Sequence, residues 1–372
     1  MSQSILVKSF ENSTYQLSGH GLRNVAVLKQ VFDSMSGDVS SDKYGRGPVI
    51  ENFQNEMADF LGKAAAVFFP SGTMAQQIAL RIWCDEKACK QVAYHPLSHL
   101  EIHEENGLKK LHGIQSILLA DCNRVIELED VTNLDEEIAC LLLELPQREI
   151  GGQLPSFETL ESISRYCRQQ GIRLHLDGAR VLECLPYYGK SIEEVCALFD
   201  SVYVSMYKGI GGIAGAILAG DADFIAQSIL WKRRAGGDLI SLYPYILSAQ
   251  AYFAQRKDRM GDYYVQAKEL VAAFNACSGM STVPQLPVTN MFHVHFNETP
   301  EKIIPLLSEA QELFAIGITG YVRKEKQGCS FEVSIGDQYQ YIPQQKLSDL
   351  FKWLTERLVT IHSDDSEKGF IS

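Results

Sequence analysis

No stretch of this 372-residue chain gives the roughly 18 or more uncharged apolar residues that a membrane-spanning helix requires, so no membrane partner is expected. A basic surplus is missing as well. The 34 Lys and Arg stand against 46 Asp and Glu, a net charge of −12, which leaves nothing to offset phosphate repulsion and excludes nucleic acid as an expected partner. Any cationic pocket must be local. The nine cysteines (Cys84, Cys89, Cys122, Cys140, Cys167, Cys184, Cys196, Cys277, Cys329) are scattered, odd in number and include no CxxC pair, which fits a reduced, cytoplasmic interior. The opening MSQSILVKSFENS lacks the apolar core of a secretory signal and points the same way. Internal repeats and low-complexity segments are also absent.

What is present is ordinary globular composition, 46% apolar and 22% charged, in a chain longer than one hydrophobic core usually serves. A large domain and a smaller one are expected. Residues 1–20 are polar with little periodicity and read as an N-terminal arm. From about residue 50, apolar strand-like runs (AAVFFP, QSILLA, IACLLLEL, RLHLD, SVYVSMY, IAGAILAG) alternate with amphipathic helix-like segments. That order predicts an α/β domain over 21–250 with a mostly parallel sheet covered on both faces. Residues 251–372, including a linking helix, mix strand and helix and predict a small α/β domain.

Three segments carry chemistry. Pro70-Ser71-Gly72-Thr73 lies between a strand and a helix start, where free N–H groups and two hydroxyls make a phosphate cradle. Ser71, Gly72 and Thr73 are equally the signature of an ordinary N-cap. Leu174 to Arg180 is an apolar strand ending in Asp177, at the edge where open α/β sheets bind ligands. A carboxylate there suits the ring nitrogen of pyridoxal phosphate (PLP), and Arg180 suits a substrate carboxylate; a helix cap and a surface ion pair are the alternatives. Ser201 to Gly209 delivers Lys208 to the same edge, where a partly desolvated amine suits Schiff-base chemistry. The following GIGGIAG is not a dinucleotide loop, since IAGAIL reads as the next strand. His95, His99 and His103 recur every four residues, but without a fourth ligand no metal is expected.

Phosphate loop, Asp-x-x-Arg about 105 residues later and Lys some 30 residues beyond follow the order of fold-type I PLP enzymes. With Asp42-Lys43-Tyr44-Gly45, Phe69 to Ala75, His99 followed by Glu104, Leu176 to Arg180 and Lys208-Gly209, the chain resembles the low-specificity L-threonine aldolase and aromatic amino-acid β-eliminating lyase family. The resemblance implies the aspartate-aminotransferase-like fold with a seven-stranded large domain. It also implies PLP on Lys208, Asp177 at its ring nitrogen, His99 stacked on its face, and Ser71, Gly72, Thr73 and Arg180 among its contacts. It further implies an amino-acid substrate, with Arg180, Ser18 and Tyr44 as contacts, turn chemistry being the alternative for Ser18 and an intrachain turn for Tyr44, and a homotetramer built from dimers. Lys208, His99 and Asp177 are then the catalytic residues.

Two departures stand out. Glu332 lies about where the family has a substrate-binding arginine, and Ile240 follows Gly236-Gly237-Asp238-Leu239 where another arginine is expected. Arg323, Lys324, Arg233 and Arg234 are the nearby cations, and His20 accompanies Ser18. The expected reaction is aldol cleavage of a β-hydroxy-α-amino acid to glycine and an aldehyde. The alternatives are β-elimination from an aromatic or otherwise activated amino acid, an aminotransferase, and a PLP-fold binding protein without turnover.

Overall fold

In the computed structural model, which describes residues 2–368, the chain divides into two compact units. The larger holds Arg23–Glu149 and Gln153–Met260; the smaller takes the chain up to Leu22, Ile150–Gly152 and the chain from Gly261 onward. Among the described residues, no helix is long and apolar enough to cross a membrane.

The larger unit is built on seven strands: β1 (Ala65–Phe69), β2 (Gln91–Tyr94), β3 (Gln115–Leu118), β4 (Cys140–Glu144), β5 (Arg173–Asp177), β6 (Ser201–Ser205) and β7 (Ala216–Gly220). Their order is β1-β7-β6-β5-β4-β2-β3. β7 runs antiparallel to β1 and β6, and the other pairings are parallel. Strands β1, β4, β5, β6 and β7 are almost wholly buried, as largely apolar strands of a sheet covered by helices on both faces are.

Local signals set the helix ends. The helix Phe157–Gln170 starts at Ser156, whose side chain accepts from Thr159 N, and stops at a left-handed Gly171 before the chain re-enters the sheet as β5. The helix Gly72–Lys87 buries Ile78, Ile82 and Trp83 in the core; Trp83 stacks on Phe224 at 4.4 Å and donates Nε1 to Ser201. Side chains of this size each contribute about 1.5–3 kcal/mol when fully buried. Parallel pairing then brings the carboxyl ends of β4, β5 and β6, at Glu144, Asp177 and Ser205, to one edge.

The smaller unit has an antiparallel sheet of β8 (Met280–Val283), β9 (Met291–Phe296), β10 (Arg323–Lys324) and β11 (Cys329–Ser334), in the order β10-β11-β9-β8. Phe274, from the helix Met260–Ala276, packs its ring against Phe292, Phe331 and Phe351.

The structure corrects two expectations about organisation. The segment read as an arm over 1–20 includes the helix Ser2–Asn12, which packs on the helix Pro300–Phe314. Leu6 and Ser9 are buried there, and Gln311 Nε2 donates to Leu6 O at 3.3 Å and Ser9 Oγ at 2.7 Å. The apolar Ile5 and Val7 on either side of buried Leu6 are exposed, which blurs the periodic signal of this helix. The boundaries also shift: the chain passes between units after Leu22 and after Met260, and the helix Tyr243–Arg256, across the expected boundary at 250, belongs wholly to the larger unit.

Candidate active site

Asp177 ends β5 with only 2% of its surface exposed. Gln76 Nε2 donates to its Oδ2 at 2.7 Å and Ala179 N to its Oδ1 at 3.1 Å. The carboxylate is thus fixed from a helix on one side and from its own turn on the other. Glu144, ending β4, is its register partner, so two carboxyl groups lie side by side. The Glu144 carboxyl accepts from Gln147 Nε2 and Arg148 N, each at 3.3 Å. Burial and then the charge of Asp177 push its pKa up to about 8.

β6 delivers Lys208 to the same edge. Ser205 Oγ accepts from Tyr207 N and Lys208 N, both at 3.3 Å, and turns the chain beyond the strand. Burial lowers the pKa of the Lys208 amine, and the Arg180 guanidinium lowers it further, while Asp177 and Glu144 oppose both. Arg180 itself is half-buried directly after β5.

Ser71, in extended conformation, precedes the helix Gly72–Lys87 and makes no side-chain cap bond, so first-turn N–H groups are left for an outside acceptor. Gly72 is needed here: a Cβ on it would lie 2.2 Å from the hydroxyl of Tyr203 on β6. The residues at this edge fit PLP: a cradle of Ser71, Gly72 and Thr73, a buried carboxylate held in place, and a desolvated amine, in one unit.

His99 opens the short helix His99–Ile102. Its Nδ1 lies 3.0 Å from Glu104 Oε1, and Glu104 Oε2 accepts from Gln77 Nε2 at 2.7 Å. A carboxylate on Nδ1 selects the tautomer whose Nε2 is a free base. The three histidines do not share a helical face. His95 spends Nε2 on Asp121 O and Arg124 O, at 3.2 and 2.9 Å, and His103 meets Glu149 at 3.4 Å.

The other expected residues lie on other elements. Tyr44 is 51% exposed on a left-handed turn, φ 49°, held by Tyr44 N to Ile240 O at 3.1 Å and by Asp42 Oδ1 accepting from Leu242 N and Tyr243 N. Ser18 belongs to the smaller unit, where the neighbouring His20 lies 3.3 Å from Asp337. Glu332 is on β11 in that unit, 3.8 Å from His293, and Arg323 pairs with Glu325 at 3.0 Å. Arg233 pairs with Asp238 at 2.9 Å and Arg234 lies over Trp231, so these cations already have partners.

Gln76, Gln77, Glu144 and Tyr203 join the site only in the structure. Glu144 had a signal, an acid closing the apolar run CLLLE as Asp177 closes RLHLD. The two glutamines had none, because polar residues on a helix read as its solvent face.

Comparison with known proteins bears on the family and the fold. A sequence model of the beta-eliminating lyase family matches residues 25–298. The low specificity L-threonine aldolase of Escherichia coli K12 is 30% identical over 211 residues, 55% of this chain and 62% of that protein. A Listeria monocytogenes crystal structure of a candidate L-allo-threonine aldolase is 54% identical, covers 96% of this chain and 99% of its own, and superposes with a TM-score of 0.94. An Exiguobacterium sp. 255-15 structure, a candidate aromatic amino acid beta-eliminating lyase/threonine aldolase, is 56% identical over 95% of this chain and 99% of its own, with a TM-score of 0.93. With this match and the fold described above, the chain belongs to the beta-eliminating lyase family and is a PLP-dependent lyase of fold type I, of the threonine-aldolase type.

Proposed function

We propose that the protein cleaves the Cα–Cβ bond of a β-hydroxy-α-amino acid of the L-threonine or L-allo-threonine kind, giving glycine and an aldehyde. The observation that carries this reading is the meeting of Asp177 and Lys208 at one sheet edge, in the unit that also holds the Glu104-oriented His99.

PLP, when bound, supplies an electron-accepting ring that stabilises the carbanion left at Cα. Ser71, Gly72 and Thr73 would hold its phosphate by N–H groups and hydroxyls, and Asp177, fixed by Gln76 and Ala179, would face its ring nitrogen and favour the protonated form. The Lys208 amine, desolvated and beside Arg180, reaches its neutral nucleophilic form more readily than a solvated lysine. Arg180 offers a fork-shaped donor to the substrate carboxylate. His99 Nε2, with Nδ1 committed to Glu104, takes the proton of the β-hydroxyl as the bond breaks.

The homotetramer belongs to the same proposal. It is supported by the helix Val25–Asp33, which is apolar yet has no buried residue, with Val25 67% exposed. Tyr44, exposed on a strained turn, and Ser18 are proposed substrate contacts, Tyr44 toward a neighbouring subunit. Nine free cysteines support a cytoplasmic location.

The test is to incubate PLP-loaded protein with L-allo-threonine and L-threonine and assay acetaldehyde and glycine. Equal release of both products is expected. Ammonia and a keto acid without aldehyde would instead establish β-elimination.

A further inference from the structure

Lys208 sits in a loop without regular structure, Met206 to Ile213, whose carbonyls have no strand or helix to bond to. Arginine side chains take four of them instead. Arg23 Nη1 donates to Tyr207 O at 3.1 Å, and Arg23 Nη2 donates to Gly212 O at 2.9 Å and Ile213 O at 3.1 Å. Arg256 Nη1 donates to Ile210 O at 2.6 Å. The N–H groups are likewise held: Tyr207 and Lys208 by Ser205 Oγ, Ile213 by Ser248 Oγ, and Gly212 by Met206 O. Glu183 closes the loop's inner side, where a Cβ on Gly209 would lie 2.1 Å from its Oε1.

Arg23 differs from the other holders in its reach. Its three bonds grip the residue just before Lys208 and two residues beyond it, so the lysine hangs between two points of one rigid, planar group. Arg256 is buried in the fold, whereas Arg23 is exposed and can be truncated without opening a cavity.

The geometry points to Arg23 as a positioning residue for Lys208, setting the loop and with it the placement of the amine. This rests on Lys208 being the residue that holds PLP. Without Arg23 three loop carbonyls face water, and the lysine backbone gains freedom that cofactor capture must then remove.

The experiment compares wild type, Arg23→Ala, Arg23→Lys and Lys208→Ala. In the apoproteins, amide hydrogen exchange is followed across the peptide spanning residues 206–213. In the PLP-loaded proteins, the PLP dissociation constant and the pH midpoint of the bound-cofactor absorbance are measured. Arg23→Ala is expected to speed exchange in this peptide and no other region of the larger unit. It is also expected to weaken PLP binding by about tenfold or more, the size of one charge-assisted hydrogen bond, and to move the absorbance midpoint. Arg23→Lys should fall between, since an ammonium cannot bridge the same carbonyls as a planar fork. Unchanged exchange overturns the inference, and so does faster exchange with unchanged PLP affinity and midpoint. If Arg23→Ala fails to fold, Arg23→Lys behaving as wild type in all three readouts overturns it equally. Lys208→Ala separates the premise: PLP still fixed to that variant by borohydride means the lysine assignment has failed, whatever Arg23 does.

Discussion

Glu144 and Asp177 occupy paired positions at the ends of adjacent parallel strands, so the carboxylate assigned to the cofactor ring has a second carboxyl group as its neighbour on one side. Both cannot ionise without repulsion in a partly desolvated site, and Glu144 is the one held neutral, with its pKa pushed up to about 8.

A pH dependence of stability follows from this pair. A carboxyl whose pKa is raised from 4.5 to about 8 on folding contributes stability that is complete below 4.5 and lost as pH rises through about 8. The urea midpoint of the apoprotein should therefore fall over that window, and Glu144→Gln should flatten the fall. Solvent access and coupling to Asp177 reduce the effect to on the order of 2 kcal/mol. Equal slopes in the two proteins would remove Glu144 as the cause.

Arg180 acts on Lys208 as a neighbouring cation that lowers the pKa of the amine. Arg180→Gln should move the pH midpoint for PLP capture by the apoprotein upward, because less of the amine is neutral at a given pH. A downward shift would mean that Arg180 is not acting through its charge on Lys208.

His99 owes its orientation to Glu104, and Glu104 to Gln77. Glu104→Gln keeps the shape but loses the charge that selects the tautomer, so kcat for aldehyde release should drop about a hundredfold. PLP affinity should change little. A drop in affinity with kcat intact would place His99 in binding instead.

Gly72 is held to glycine by the Tyr203 hydroxyl. Gly72→Ala should destabilise the protein by on the order of 2 kcal/mol and weaken PLP binding, as overpacked sites do. Tyr203→Phe in the same chain should recover part of both losses, measured by urea unfolding and PLP titration.

The sequence disclosed elements whose cause is local. Asp177 and Lys208 follow apolar strands, and a residue at the end of a parallel strand has one place to go, the edge of the sheet. The seven-stranded sheet follows from the alternation of apolar runs and helical periods together with the family resemblance. What stayed hidden depends on contacts distant in sequence. Arg23 meets its carbonyl partners 184 to 190 residues away, and nothing near Arg23 marks it. Gln76 and Gln77 look like a solvent face until the carboxylates they hold, 101 and 27 residues on, are in place. The first helix reads as an arm because exposed Ile5 and Val7 flank the buried Leu6, and the amide that caps its contact, Gln311, lies 305 residues away.

The measurement closest to the core of this reading is covalent. PLP-loaded protein is reduced with borohydride, digested, and the pyridoxyl label mapped by mass spectrometry. The label is expected on the peptide containing Lys208, and its appearance on any other lysine would contradict the site described for this protein.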